Sequence, residues 1–334
     1  MLVLVLAAVM LRTEVTVRTN ASAGKEYIKW VDFTVSYEAL CRAYEWDVDT
    51  HETNHQVHWI ELLAYTAAKT GGNFNKKAMN LLEETARKWS EEEVDIAELT
   101  KDMKYYPYYL EAYSAVLGGM VDEYMAESID ENGQKSMQTK YGLKAYFPLA
   151  RGFDYSHYDD FGTGRSYGYQ RKHLGHDMMG LVGTPIIAVE SGYVEALGWN
   201  QYGGWRIGIR SFDGKRYYYY AHLRQNYPYQ EKLKEGDVVT AGEVIGYMGH
   251  TGYSSKENVN NIDQVHLHFG MQLIFDESQK EGNNEIWIDC YDLTRFLNCN
   301  RSEVYKVEGT KEWKRVLDMK EESVEKIKKD GKGN

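Results

Sequence analysis

The sequence predicts an α+β multidomain protein: an N-terminal helical domain followed by a mostly antiparallel β domain. Three observations predict it. Between about Lys25 and Lys140 apolar residues recur at helical spacing. From about Tyr167 that period disappears, and short runs rich in β-branched and aromatic residues alternate with turn residues. A length of 334 residues also leaves room for about two domains, each able to bury its own core.

Composition narrows the function before any motif is read. A formal net charge of −11 opposes broad attraction to nucleic acid or to anionic lipid, so no nucleic-acid partner is expected. Cys41, Cys290 and Cys299 are too few for a disulfide framework, although Cys290 and Cys299 could pair. With 28 tyrosines against 4 prolines, the chain reads as folded and aromatic-rich, and tyrosine-lined grooves suit extended polar ligands.

Residues 1–24 open with the apolar run MLVLVLAAVML, ended by Arg12. That run is too short to span a bilayer. It resembles the apolar region of a signal peptide without a basic start, and Ala21-Ser22-Ala23 lies far downstream. A truncated export or membrane-anchor segment is expected, with a buried N-terminal strand or helix as the alternative.

Residues 25–140 read as a helical domain. WIELLAYTAAKTGG carries Ile60, Leu63 and Ala67 or Ala68 on one face and closes at Gly71-Gly72. KKAMNLLEETARKW and YLEAYSAVLGGMVDEYM read as further amphipathic helices flanking the acidic link EEEVDIAELT. His51, His55 and His58 have i, i+4, i+7 spacing, but no carboxylate or cysteine completes a metal set, so they read as a polar helix face. Nothing here names a role for this domain.

Residues 141–166 read as a connector, 167–300 as the β domain, and 301–334 as a charged tail ending in a solvated helix. GTPIIAVE, GYVEALGW, WRIGIRSF, KRYYYYAHL, EVIGYMG and QVHLHFGMQLIF are the strands, and Asp213-Gly214 is a hairpin signal.

Three strand-associated motifs carry chemistry. In QVHLHFGMQLIF, alternation turns His266 and His268 to one face and Val265, Leu267 and Phe269 to the other. Two such imidazoles can share a site, one as metal ligand and one as proton carrier. In RKHLGHDMMG, His173 and Asp177 stand four apart around Gly175, which argues against a helix, and both are competent zinc ligands. In KRYYYYAHL, alternation puts Tyr218, Tyr220 and His222 on one face. Each motif alone is also readable as ordinary surface or core histidine.

Taken together and in order, HLGHD, GTPIIAVESGYVEALGWNQYGG, YYAHL, EGDVVTAGEVIGYMGHTGYS and HLHFG resemble the lysostaphin-type zinc metallopeptidases, which cleave peptides of bacterial cell-wall peptidoglycan. The resemblance covers roughly Tyr167 to Phe275 and makes 167–300 a zinc metallopeptidase domain. It implies that His173, Asp177 and His268 hold Zn2+ and that His222 and His266 are the catalytic histidines. Three N/O ligands leave a position for water, as a catalytic rather than a structural zinc requires. His266 is then placed to accept a proton, and His222 to orient water or steady the oxyanion, with the two roles exchangeable.

His176 could substitute as a ligand but matches no position of that family, and the resemblance implies an oxyanion role for Tyr167, with packing as the alternative. The run SKENVNNIDQV before His266 is longer than in relatives and reads as a surface loop forming one groove wall. The implied function is a zinc-dependent endopeptidase hydrolysing peptidoglycan peptides outside the cytoplasm, membrane-anchored or secreted. Its rivals are a catalytically inactive scaffold that binds wall or a partner, and an intracellular peptidase. No regulatory partner, oligomeric state or preferred bond is legible.

Overall fold

Short polar residues start the helices where the chain needs acceptors for unpaired N–H groups. Ser36 caps α1 (Tyr37–Thr50), and the Asn75 side chain accepts from Lys77 and Ala78 at the head of α3 (Lys76–Ser90). Between them α2 (Trp59–Thr70) ends at Gly71, as the Gly-Gly stop predicts. Asp95 caps α4 (Ile96–Thr100), and Pro107 sits in the first turn of α5 (Tyr106–Leu117). Leu40, Leu62, Leu63, Leu82, Tyr113 and Val116 bury the shared apolar faces of this bundle. The structure, a computed structural model, describes residues 27–166, 170–280, 282 and 284–329. The apolar segment at 1–24, Tyr167 and the last residues of the tail lie outside the described residues.

The helical reading of YLEAYSAVLGGMVDEYM stops at Leu117. Gly118 and Gly119 break the helix, Gly119 with φ +78, and a Cβ on Gly119 would lie 2.7 Å from the Glu190 carboxylate. Beyond them the chain forms a hairpin, β1 (Val121–Ile129) and β2 (Lys135–Leu143), turned by Asp130, whose Oδ1 accepts from Asn132 and Gln134. His51, His55 and His58 also differ from a shared helix face, because α1 ends at Thr50 and they fall in the link to α2. There the His51 ring stacks on Tyr141 at 3.4 Å and His55 meets Glu92 at 2.6 Å.

The strands that build the site are β3 (Ser156–His157), β4 (Gly164–Ser166), β5 (Gln170–Lys172), β6 (His176–Met179), β7 (Pro185–Ile187), β8 (Gly192–Asn200), β9 (Gly204–Ser211), β10 (Arg216–Ala221), β11 (Val238–Val239), β12 (Val244–Tyr247), β13 (His266–Leu273) and β14 (Ile286–Trp287). The main sheet runs β11-β8-β9-β10-β13-β6-β3 with β14 also on β13, and every pairing in it is antiparallel. The Asp213-Gly214 hairpin joins β9 to β10, with Tyr217 opposite Arg210. Leu267, Phe269, Met271 and Leu273 face the core, as alternation predicts, and Tyr218 and Tyr220 meet Phe269 there.

The segment read as a connector is packed rather than free: Phe147, Leu149 and Ala150 are fully buried. The charged tail is also more than a helix. It forms the hairpin β15 (Val304–Lys306) and β16 (Trp313–Arg315), then β17 (Met319–Lys320) on the edge of β1, before α7 (Glu322–Lys329). Its few apolar residues, such as Trp313 beside Phe153, anchor it. All three cysteines are free, with Cys290 buried and Cys299 exposed.

One apolar core joins bundle and sheet. Tyr44 and Trp59 pack on Phe296 of α6 (Tyr291–Leu297) with ring centroids 5.5 and 5.9 Å away. Fully buried Arg216 holds the Glu190 carboxylate with bonds of 2.8 and 3.0 Å and donates to the Ala115 carbonyl of α5 at 2.9 Å. Among the described residues no helix is long and apolar enough to cross a membrane.

Candidate active site

Ladder register brings the predicted ligands together. His268 on β13 stands opposite Asp177 on β6 and, on its other side, opposite Ala221 at the end of β10. His173 reaches them from the turn between β5 and β6, where its N–H bonds to the Thr163 carbonyl at 2.9 Å. The turn needs glycine at 175, since a Cβ there would lie 2.5 Å from His268 Cε1 and 2.6 Å from its Nε2.

Three donor atoms converge. His173 Nε2 is 3.0 Å from Asp177 Oδ1 and 3.1 Å from His268 Nδ1, and His268 Nδ1 is 2.9 Å from Asp177 Oδ1. Zinc bonds of about 2.0–2.2 Å in tetrahedral geometry space ligand atoms about 3.3–3.5 Å apart, so the triangle fits such an ion with small outward relaxation. Burial opposes ionisation of Asp177, but hydrogen bonds from His173 and His268 outweigh it and hold the carboxyl well below the usual range. Burial likewise opposes protonation of His173, and Asp177 and Asp160 overcome it.

Outside the triangle lie two residues to which the sequence alone does not point. The Asp160 carboxylate is 3.1 Å from His173 Nδ1, on the far side of the ring from the triangle. Arg165 of β4 bridges Asp160 and Asp177, reaching Asp177 Oδ2 at 3.1 Å. Such partners fix ring orientation and ligand basicity. Both fall in the stretch read as a connector, where no periodicity marks them.

His222 and His266 complete the floor, with ring centroids 4.7 Å apart. His266 points Nδ1 at the Gln264 carbonyl, 2.9 Å, and its Nε2 lies 3.8 Å from Asp177 Oδ1. His222 points Nδ1 at the Thr251 carbonyl, also 2.9 Å. A carbonyl accepts only from N–H, so each imidazole carries its proton on Nδ1 and presents Nε2 as an acceptor. Burial is the first cause pushing both pKa values down, and for His222 the neighbouring His266 adds to it.

His222 reaches this floor by breaking strand alternation. Tyr218 and Tyr220 are core residues, so regular alternation would send His222 into the core with them. Its φ of +63 turns it instead to the groove side, where Tyr219 lies. Bonds from His222 N–H to the Gly203 carbonyl, 2.7 Å, and from Gly249 N–H to its own carbonyl, 3.0 Å, hold that conformation.

His176 faces away from the triangle. Its Nε2 is 3.0 Å from His157 Nδ1, and burial, then His157, push its pKa down to about 3. The groove above the floor measures about 870 Å³. Asn261 to Gln264 of the long loop form part of its wall, and Trp205 and Asn226 anchor that loop through Asn258.

Residues 171–282 match the sequence profile of Peptidase family M23. This segment is an M23 peptidase domain. It contains His173, Asp177, His222, His266 and His268. The chain is similar to the L-Ala–D-Glu endopeptidase of Bacillus subtilis, 39% identical over 125 residues that make up 37% of each chain. It is also similar to lysostaphin of Staphylococcus simulans, 39% identical over 98 residues, 29% of this chain and 17% of that one. The match therefore spans well under half of either relative. In fold, the structure resembles that of a candidate glycyl-glycine endopeptidase, lytM, from Ruminococcus gnavus, with a TM-score of 0.53 and 24% identity over 82% of this chain and 91% of that one. That likeness in fold extends beyond the M23 domain.

Proposed function

We propose that this protein is a zinc-dependent endopeptidase that hydrolyses peptide bonds of bacterial cell-wall peptidoglycan outside the cytoplasm. The observation that carries the reading is the convergence of His173, Asp177 and His268 within 2.9–3.1 Å, with two acceptor imidazoles on the same floor. The name of the Bacillus subtilis relative, an L-Ala–D-Glu endopeptidase, supports it.

A zinc ion held by those three residues supplies a Lewis acid that polarises a carbonyl and lowers the pKa of a water. The chain's own residues supply the rest. His266 takes up the proton at Nε2, since its Nδ1–H is committed to Gln264. His222, committed in the same way to Thr251, orients the attacking water by accepting a hydrogen bond at Nε2. Arg165 and Asp160 hold Asp177 and His173 in place. The groove and its loop wall align an extended peptide over the floor.

Metal analysis of the purified protein tests the reading at its base. About one zinc per chain is expected, with loss of metal and of muropeptide release in Asp177→Asn. A protein that releases muropeptides equally well after chelation contradicts it.

A further inference from the structure

The chain is acidic overall, with net charge −11, yet the groove carries an excess of cations, among them Arg165, Arg171, Arg206 and Lys280. Two of these are already committed: Arg165 to Asp160 and Asp177, and Lys280 to Glu195. Arg171 and Arg206 have no carboxylate partner among the described residues, and the Nε of each is buried without a hydrogen-bond acceptor there. A buried guanidinium N–H without an acceptor is costly, and a ligand carboxylate supplies the planar pair of oxygens that a guanidinium fork matches best.

Their positions place that carboxylate. Arg171, on β5, stacks over the Tyr253 ring at 4.9 Å, and Tyr253 lies 5.8 Å from the His222 ring. Arg206, on β9, also reaches Tyr217. The β9–β10 ladder sets Tyr219 on the groove side with Arg206, its ring 6.0 Å from His268 and its hydroxyl accepting from Asn200 at 3.2 Å. Burial raises the Tyr219 phenol pKa, and Asn200, then Arg206 and Arg171, pull it back. The 6.0 Å between the Tyr219 and His268 rings is spanned by roughly two residues of extended peptide.

We propose that Arg171 and Arg206 form a carboxylate subsite beside the catalytic floor, so that the protein prefers peptides bearing a free acid within about two residues of the scissile bond. Uncharged substrates such as oligoglycine then bind poorly. The inference rests on the peptidase reading for its substrate, but the subsite itself can be tested without cleavage.

Calorimetry of the metal-free, full-length protein uses a blocked stem peptide with a free glutamate carboxylate and the same peptide as the carboxamide. The acid is expected to bind about tenfold or more tightly than the amide. In R171Q/R206Q that ratio falls toward one, and in R171K/R206K much of it survives, which separates lost charge from lost fold. With zinc added, the acid-to-amide ratio of kcat/KM follows the same order. Equal affinities in the wild type, no binding of either peptide, or an undiminished ratio in R171Q/R206Q overturns the subsite. Displacement of the acid by inorganic phosphate at concentrations where acetate is inert reassigns the pair to phosphate groups and also overturns it. Selective binding without any cleavage leaves the subsite standing and removes the peptidase reading instead.

Discussion

Asp177 Oδ1 lies 2.9 Å from His268 Nδ1 because the two residues face each other on adjacent antiparallel strands. Directly opposed residues have the shortest cross-strand separation a sheet offers, so the ladder itself sets the distance between two of the three donor atoms. Only His173 comes from a turn, and its placement depends on Gly175.

Gly175→Ala therefore tests how the turn shapes the triangle. The added Cβ would come within 2.5 Å of His268 Cε1 and 2.9 Å of the Phe269 carbonyl, so ring or strand must shift. Zinc affinity, measured by competition with a chromophoric chelator, should fall at least tenfold while far-ultraviolet circular dichroism changes little. An unchanged affinity would show that the turn has slack.

Asp160→Asn removes the charge behind His173 Nδ1 without emptying the space. Partners of this kind contribute about 10–100-fold to metal affinity or activity. The same chelator competition should report a loss in that range, and a residual defect in activity should persist at saturating zinc.

His222→Ala and His266→Ala should separate metal binding from proton handling. Neither belongs to the triangle, so each variant should retain zinc by elemental analysis while hydrolysis falls by about 10²–10⁴-fold, the usual contribution of a positioned acid–base group. Loss of zinc in either variant would move that residue into the ligand set.

Arg216→Met tests the union of bundle and sheet. It leaves the buried Glu190 carboxylate without its bidentate partner and the Ala115 carbonyl without a donor. Breaking a buried pair from one side costs about 3–5 kcal/mol. The urea midpoint should drop accordingly, and Arg216→Met with Glu190→Gln should recover part of the loss.

Much of the candidate site is legible in the sequence because its chemistry is local. Alternation in QVHLHFGMQLIF correctly separates His266 and His268 from Leu267 and Phe269. His222 is found through its motif rather than its geometry, since a left-handed residue at a strand end is invisible to a period-two pattern. Asp160 and Arg165 act across the site from a stretch without periodicity, so no local pattern reports them. The same limit applies to the fold. Helices with capping residues and apolar faces are readable up to Leu117, whereas β1 and β2 are largely exposed strands, and β1 pairs with β17 from far along the chain, Met125 and Ala126 opposite Lys320 and Met319. That pairing is set by tertiary contact, which local propensity does not encode.

The most direct test of the proposed hydrolysis is mass spectrometry of the fragments released from defined muropeptides by the zinc-loaded protein, beside His268→Ala. Cleavage of a peptide bond by the wild type is expected, abolished by the substitution and by chelation and restored to the wild type by zinc. Intact muropeptides with stoichiometric zinc bound, or identical fragments from His268→Ala, would contradict it.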